Sequence, residues 1–273
     1  MKFLGLITRC KDEFFIKEFC DYYLSQGVDE IFVIDDNSND KSIYNNINDD
    51  KVKIIYEKDL FKNKHQMQVL NKYYLIIKNL FKWVISVDVD EFIVTKKYIN
   101  NTIRDELETT FKDIDCIKIP WVMMSCNGRK KNPKSILLEN TSRWNHNKKH
   151  PHKINKFRCR YNEIEVKCIF KTSKYNFIDV HHPVNLNTNT NTIVVNSINK
   201  QIEKLTPFYN NLREIDISTG YLLCYHYRTI SEENSKNKLK KAQYLKYTIQ
   251  DIISSDHSEI LDETLKYKIK DII

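Results

Sequence analysis

The residues in this sequence that are best suited to chemistry are the carboxylates that follow an apolar run at positions 81–87. Asp88, Asp90 and Glu91 come directly after that run, and apolar residues resume at Phe92. The run predicts a strand buried on both faces, and open α/β sheets bind ligands beyond the carboxyl ends of such strands. Asp88 and Asp90 point to the same side of an extended chain, where they repel each other unless a cation or protons compensate. Oxygen ligands suit Mg²⁺ and Mn²⁺, so the spacing predicts either a divalent-cation site or acidic residues that only begin a loop or cap a helix.

A repeated strand–helix pattern precedes these carboxylates and would position them. Two amphipathic helices, one stopping at Gly27 and one over residues 64–80, alternate with apolar strands at residues 3–8, 31–34, 52–56 and 81–87. This alternation is typical of a parallel sheet, so the predicted fold class is α/β, with a mostly parallel Rossmann-like sheet flanked by helices. Polar clusters follow three of these strands, at residues 9–13, 35–40 and 88–91. Adjacent parallel strands would gather the clusters at one edge of the sheet, where a ligand belongs.

The second part of the chain shows shorter and looser patterns. Strands are predicted at residues 117–124, 165–171, 177–180 and 221–225. Helices are predicted at residues 101–111, in a Lys-rich segment that begins at Ser231, and in a closing segment at residues 258–272. The basic residues 127–160, which include His146, His150 and His152, are predicted to form a loop or lid.

Composition limits the function classes. The chain has 273 residues, 41% of them hydrophobic, which is typical of a globular protein. The net charge of +8 suits an anionic ligand, but the basic stretches lack the interleaved aromatics of a nucleic-acid platform. No stretch approaches the roughly 20 apolar residues of a membrane span, and the first residues predict a strand and not a signal peptide, so we expect a cytoplasmic protein or a soluble piece of a longer one. The seven cysteines form no CxxC pair and are expected to be buried free thiols.

Several of these segments together resemble glycosyltransferases of the GT-A type, closest to family 92 and its family 2-like relatives. The resemblance covers residues 3–240 and is most specific in the first hundred. One departure is the loop after Trp121, which has fewer glycines than relatives tend to have. The matching segments are residues 8–13, 27–29, 36–40 and 87–92, then Gln66, residues 167–170, His181-His182 and His226-Tyr227.

The resemblance implies a GT-A fold with C-terminal helices and a metal-dependent transfer of sugar. The donor would be a nucleotide-sugar, and a UDP-sugar is the first expectation. The acceptor would be a hydroxyl group of a glycan or glycoprotein, and transfer would invert the anomeric configuration of the sugar. It also implies a catalytic domain over residues 1–230, divided into a nucleotide-binding half (1–95) and an acceptor half (96–230). Residues 231–273 would be a helical extension packed on the same domain.

Carried over residue by residue, the resemblance implies a role for each matching side chain. Arg9 and Glu13 would flank the nucleobase and ribose, and Asp36 would bond the base or ribose. Asp88 would bond the ribose or a metal-bound water, and Gln66 and Lys167 would also contact the nucleotide-sugar. Asp90 would bind Mn²⁺ (or Mg²⁺) directly, with His226 completing the metal ligands together with Asp88.

Each of these roles has a plainer alternative. Glu13 is also explained as a charge favoured by a helix dipole, Asp36 as a turn cap, and His226 as a structural histidine. Lys171 and Arg228 are further candidates to stabilise a diphosphate. The general base stays open among Asp115, Glu139, Glu163, Glu165 and Asp179. The rival functions are a divalent-metal nucleotidyltransferase or phosphohydrolase, and a non-catalytic protein that binds sugar nucleotides or nucleic acid.

Overall fold

A large central sheet carries helices on both faces. The computed structural model describes residues 1–58, 65–148, 163–186, 192–241 and 248–270. The strands are β1 (Lys2–Cys10), β2 (Glu30–Asp35), β3 (Val52–Tyr56), β4 (Phe81–Ser86), β5 (Glu91–Thr95), β6 (Cys116–Ser125), β7 (Ser142–Arg143), β8 (Glu163–Lys171), β9 (Tyr175–Ile178), β10 (Pro183–Leu186), β11 (Val194–Asn196), β12 (Phe208–Asn210), β13 (Leu222–His226) and β14 (Ile260–Leu261). The helices are α1 (Ile16–Ser25), α2 (His65–Ile77), α3 (Ile103–Glu108), α4 (Ile136–Glu139), α5 (Glu214–Thr219), α6 (Glu232–Lys241), α7 (Ile249–Ser254) and α8 (Thr264–Ile269).

The first part of the sheet is parallel, as the sequence predicts. Strands β3, β2, β1 and β4 lie side by side in that order, and each neighbouring pair is parallel. Leu6 of β1 packs into the core on the α1 face, whereas Ile7 packs into the core on the α2 face. This two-sided burial explains the continuous apolar runs. The α/β fold class is confirmed.

The second part of the sheet mixes the two strand directions. β8 lies between β4 and β6 and is antiparallel to both. β13 is parallel to β6 and antiparallel to β5. An apolar run reports burial but not the direction of the neighbouring strand, so the sequence pattern did not distinguish these pairings.

Asp88 and Asp90 lie between two strands, because β4 ends at Ser86 and β5 begins at Glu91. The Glu91 N–H donates to the Asp88 carbonyl oxygen over 3.1 Å, which closes a turn between β4 and β5. The Tyr23 hydroxyl of α1 donates to the Glu91 carbonyl at 2.9 Å and accepts from the Ile93 N–H at 2.9 Å. Helix α1 therefore fixes the backbone immediately after the turn. Asp88 and Asp90 lie on this turn, beyond the carboxyl end of β4.

Two other predicted segments differ from the structure. In the segment predicted as a closing helix, residues 260–261 form β14, which pairs with β7, and only residues 264–269 are helical. Within the segment predicted as a loop, residues 136–139 form α4 and residues 149–162 lie outside the described residues. The backbone N–H groups of Ile136 and Leu137 donate to the Glu18 carboxylate of α1. Ser135 also caps α4 locally, since its hydroxyl accepts from the Leu138 N–H at 3.0 Å, so the sequence holds a helix signal that the loop prediction did not use.

The described cysteines are buried and free, as expected, and Cys159 lies outside the described ranges. Gly27, predicted to stop α1, has a φ of +86°. Over the described ranges, no helix has the length and apolar character needed to cross a bilayer.

A buried ionic cluster around Asp262 holds β14 against the sheet. Its carboxylate accepts from Arg143 at 2.9 Å, from the Tyr225 hydroxyl at 2.8 Å and from Lys96 at 3.2 Å. Arg143 also binds Glu214, with contacts of 2.7 and 2.9 Å. Burial alone would raise the pKa of Asp262, but Lys96 and the hydrogen bonds from Thr264 and Tyr225 outweigh it and lower the pKa from 3.8 to about 2.

This lowered pKa predicts an acid-dependent loss of stability. A carboxyl with a depressed folded pKa stabilises the protein above its unfolded pKa, and the contribution disappears as the pH falls through the folded pKa. We expect Asp262 to contribute about 2 kcal/mol at pH 5 and almost nothing at pH 2. Urea unfolding of wild-type and Asp262→Asn proteins at both pH values measures this. Two proteins that lose equal stability between pH 5 and pH 2 would contradict the expectation.

Candidate functional site

A cavity of about 350 Å³ opens beyond the carboxyl ends of β1 and β4. It is lined by many of the side chains that the sequence singled out, namely Arg9, Glu13, Gln66, Asp88, Asp90 and His226. The other lining residues are Lys11, Val89, Trp121, Glu165, Val180, His181 and Arg228. Asp36 and Lys167 lie behind the wall, and each bonds a residue that lines it. The structure thus brings the predicted site residues to one place from separate elements.

Asp88 is held from two sides. Gln66 of α2 donates to its Oδ1 at 2.8 Å, and Lys167 of β8 donates to its Oδ2 at 3.0 Å. Burial would raise the pKa of Asp88, but the Lys167 ammonium outweighs burial and lowers the pKa. Asp88 is therefore an oriented carboxylate anion at the cavity wall.

The Lys167 ammonium is enclosed by three acceptors. Besides Asp88, it contacts the Glu91 carboxylate at 3.1 Å and donates to the Val180 carbonyl at 2.8 Å. Lys167 is 1% exposed and Glu91 is fully buried. Burial raises the pKa of Glu91 to about 8, although Lys167 opposes the shift. An ammonium has three N–H donors, and here each has an acceptor.

Asp90 is the other carboxylate of the turn, two residues after Asp88. Its Oδ2 accepts from Lys238 of α6 at 2.8 Å, and its Oδ1 lies 3.7 Å from His226 Nε2. Burial would raise the pKa of Asp90, but Lys238 and His226 lower it to about 2. Burial lowers the pKa of His226 to about 4, so its imidazole is neutral near pH 7.

These residues can accommodate a divalent ion, but they do not form a complete set of ligands. Among the residues that the structure describes, no three His, Cys, Asp or Glu side chains are grouped as a metal site. Asp90 and His226 present an oxygen and a nitrogen 3.7 Å apart, a separation that one ion can bridge. Mg²⁺ and similar ions keep waters and often bind one or two carboxylates together with substrate phosphates. The pair therefore fits an ion that a diphosphate helps to hold, whereas both Asp88 oxygens already have partners.

Asp36 does not face the cavity directly. Its Oδ2 accepts from Arg9 at 2.6 Å, and its Oδ1 lies 2.8 Å from His65 Nε2. Burial would raise the pKa of Asp36, but the hydrogen bonds from His65 and Arg9 lower it. The geometry makes Asp36 a residue that positions Arg9, which lines the cavity.

The wall opposite Arg9 is built by β6, β8 and the segment after β9. The Trp121 ring lies 4.1 Å from the His226 ring and 5.6 Å from the His181 ring, measured between centroids. His181 Nε2 lies 3.4 Å from Glu165 Oε1. Of the adjacent pair, His181 lines the cavity, whereas His182 Nδ1 is 2.9 Å from the Pro183 carbonyl oxygen.

The five general-base candidates occupy different environments. Asp115 pairs with Lys171, and neither residue lines the cavity. Glu139 pairs with Arg129. Asp179 accepts from the backbone N–H of Val180. Glu163 begins β8 and does not line the cavity, whereas Glu165 does.

Trp121 and Lys238 were not identified as site residues from the sequence, and the burial of Glu91 was not foreseen. Trp121 is part of an apolar run and was assigned only to a strand. Lys238 belongs to a Lys-rich helix whose pattern indicates a solvated face. Glu91 follows Asp90 directly, so its acidity was visible, but its complete burial was not.

Comparisons with known proteins identify one family and several distant structural likenesses. The model of glycosyltransferase family 92 matches residues 16–266. No curated protein sequence matches the chain. Among solved structures, HddC from Yersinia pseudotuberculosis is 11% identical with a TM-score of 0.38, over 81% of this chain and 98% of that one. The 4-diphosphocytidyl-2C-methyl-D-erythritol synthase from Anaerococcus prevotii is 10% identical with a TM-score of 0.31, over 49% of this chain and 60% of its own length.

Proposed function

The chain belongs to glycosyltransferase family 92, and from that premise we propose that it moves a sugar from a nucleotide-diphosphate sugar to a hydroxyl group. We propose UDP-sugars as donors, a glycan or glycoprotein as acceptor, and Mn²⁺ or Mg²⁺ as the cation. Transfer of the sugar is proposed to invert its anomeric configuration.

The observation that carries this proposal is the mixture of charges in one cavity. Asp90 and His226 lie together on one side, and the cationic side chains Arg9, Lys11 and Arg228 line the same space. A diphosphate carrying a divalent ion presents both signs of charge. Carboxylate and imidazole suit the ion, and guanidinium and ammonium groups suit phosphate oxygens.

Each side chain then has a task. Asp90 and His226 would hold the ion, which when bound neutralises charge on the leaving diphosphate as a Lewis acid. Arg9, oriented by Asp36, and Gln66 would contact the nucleoside end. Lys167 keeps Asp88 ionised and oriented, and Asp88 would accept a hydrogen bond from the ribose or from a water of the ion. Arg228 would stabilise the departing phosphate charge.

A donor screen with and without the ion tests this function. The purified protein is mixed with UDP-, GDP- and CMP-sugars and a panel of methyl glycosides, in Mn²⁺, in Mg²⁺ and in EDTA. We expect UDP release and a new glycoside from a UDP-sugar when the ion is present, and a loss of at least about 100-fold in EDTA, since the ion supplies several kcal/mol of charge stabilisation. Release of inorganic phosphate or pyrophosphate in place of UDP would support the phosphohydrolase or nucleotidyltransferase alternative. Folded protein that binds and turns over none of these donors would contradict the proposal.

A further inference from the structure

We propose that Glu165 is the general base that removes the proton from the acceptor hydroxyl. This inference rests on the proposed function and deepens it, because it assigns the acceptor side of the cavity. Inversion requires the acceptor to attack from the face opposite the diphosphate, with a carboxylate within hydrogen-bonding reach of its hydroxyl.

Glu165 is the cavity carboxylate on the correct side. The other carboxylates that line the cavity lie toward β1 and the turn after β4, namely Glu13, Asp88 and Asp90. Asp88 is engaged by Lys167, and Asp90 by Lys238. Side chains alternate along a strand, so Glu165 and Lys167 share a face of β8. Lys167 contacts Asp88, and Glu165 lies two residues along the strand from that contact.

Trp121 lies between the ion-binding pair and Glu165. β6 and β8 are antiparallel with Pro120 opposite Val166, which makes Trp121 and Glu165 neighbours across the two strands. The Trp121 ring contacts two histidine rings. One belongs to His226, which lies beside Asp90, and the other to His181, which lies beside Glu165. Crossing the cavity from the ion-binding pair therefore passes the Trp121 ring before reaching Glu165. A sugar seated on that ring has its diphosphate on one side and Glu165 on the other.

Trp121 also carries an unused donor. The residue is 5% exposed, and its Nε1 finds no hydrogen-bond partner among the residues that the structure describes. A buried indole N–H normally has a partner, because leaving it without one is unfavourable. Over the described ranges, the indole N–H is therefore an unsatisfied donor in the wall between the ion-binding pair and Glu165.

His181 lies beside the Glu165 carboxylate. Its Nδ1 lies 3.2 Å from the Val166 carbonyl oxygen, which can only accept, so Nδ1 carries a hydrogen. Nε2 then faces Glu165 Oε1 at 3.4 Å. A neutral ring with its hydrogen on Nδ1 turns a lone pair toward the carboxylate, so only a ring protonated on both nitrogens would pair with Glu165.

The step balances in atoms and electrons. The acceptor oxygen forms a bond to the anomeric carbon of the donor while its proton passes to a Glu165 carboxylate oxygen. The bond from the anomeric carbon to the β-phosphate oxygen breaks, and its electron pair leaves with the nucleoside diphosphate. The proton later passes from Glu165 to solvent.

The test uses water as the nucleophile, so it needs no knowledge of the acceptor. Wild type, Glu165→Gln, Glu165→Asp and Glu163→Gln are compared with UDP-glucose, UDP-galactose and UDP-N-acetylglucosamine in Mn²⁺. Glu163 lies on the same face of the same strand but outside the cavity, which makes it the matched control. The readouts are UDP release, UDP-sugar Kd by calorimetry, and the anomeric configuration of the first-formed sugar by NMR.

We expect Glu165→Gln to lower the rate about 100-fold or more, the usual contribution of a general base, without weakening UDP-sugar binding. Glu165→Asp should be intermediate, Glu163→Gln unchanged, and the released sugar inverted. If the wild type binds no UDP-sugar, the proposed function fails. If the wild type is active but its product keeps the donor configuration, or if Glu165→Gln or Glu165→Asp matches its rate, only the assignment of Glu165 fails.

Discussion

An Asp90→Asn protein is expected to fold, to lose measurable Mn²⁺ binding, and to transfer sugar about 1,000-fold more slowly than the wild type. Asp90 is the cavity carboxylate beside His226, with His226 Nε2 at 3.7 Å. An amide keeps the shape and can still accept from Lys238. It removes the negative charge that a divalent ion requires. Titration of Mn²⁺ followed by electron paramagnetic resonance, with and without UDP, measures the affinity apart from activity.

Asp115→Asn is the matched control. Asp115 is also a buried carboxylate paired with lysine, with Lys171 at 3.1 Å, but it lies outside the cavity. We expect this variant to lose stability and to keep the Mn²⁺ affinity of the wild type. Equal Mn²⁺ affinity in wild-type and Asp90→Asn proteins would refute the assignment of Asp90.

The parallel half of the fold could be predicted because each of its strands is a local signal. The runs that became β1, β2 and β4 are apolar enough to require burial on both faces, and helical periodicity fills the segments between them. Parallel order then follows from short crossovers, and the polar clusters at the strand ends must meet. Asp88, Asp90 and Arg9 were found for this reason.

The other wall of the site depends on contacts between distant segments. The alternation in β8 places Glu165 and Lys167 on one face, but nothing local indicates which face meets the cavity. Trp121 becomes a cavity residue only when β6 lies next to β8. Lys238 reaches Asp90 from 148 positions away, on a helix whose sequence indicates exposure. The break between β4 and β5 likewise depends on Tyr23 of α1, which bonds the backbone of both Glu91 and Ile93.

Lys167→Met is expected to lower stability by about 1–3 kcal/mol, because it removes a buried cation that Asp88, Glu91 and the Val180 carbonyl oxygen share. The Lys167 side chain is 1% exposed, so the buried Glu91 carboxyl and the Val180 carbonyl lose their partner, whereas the Asp88 side chain is 34% exposed and keeps access to water. Since the pKa of Glu91 is about 8, its carboxyl is largely protonated near pH 7, and adding Glu91→Gln to Lys167→Met should change stability little further. Urea unfolding of the single and double variants measures both effects.

Lys118→Met separates the loss of the cation from the loss of a long buried side chain. Lys118 of β6 is 7% exposed and donates to a neutral group, the Thr206 hydroxyl, at 2.8 Å. Burial lowers the pKa of Lys118, the opposite of the rise that the carboxylates impose on the pKa of Lys167. Replacing Lys118 by methionine should therefore change stability far less. If the two methionine variants unfold at the same urea concentration, the Asp88 and Glu91 side chains do not need Lys167, and the turn that carries Asp88 and Asp90 must be held by its backbone contacts alone.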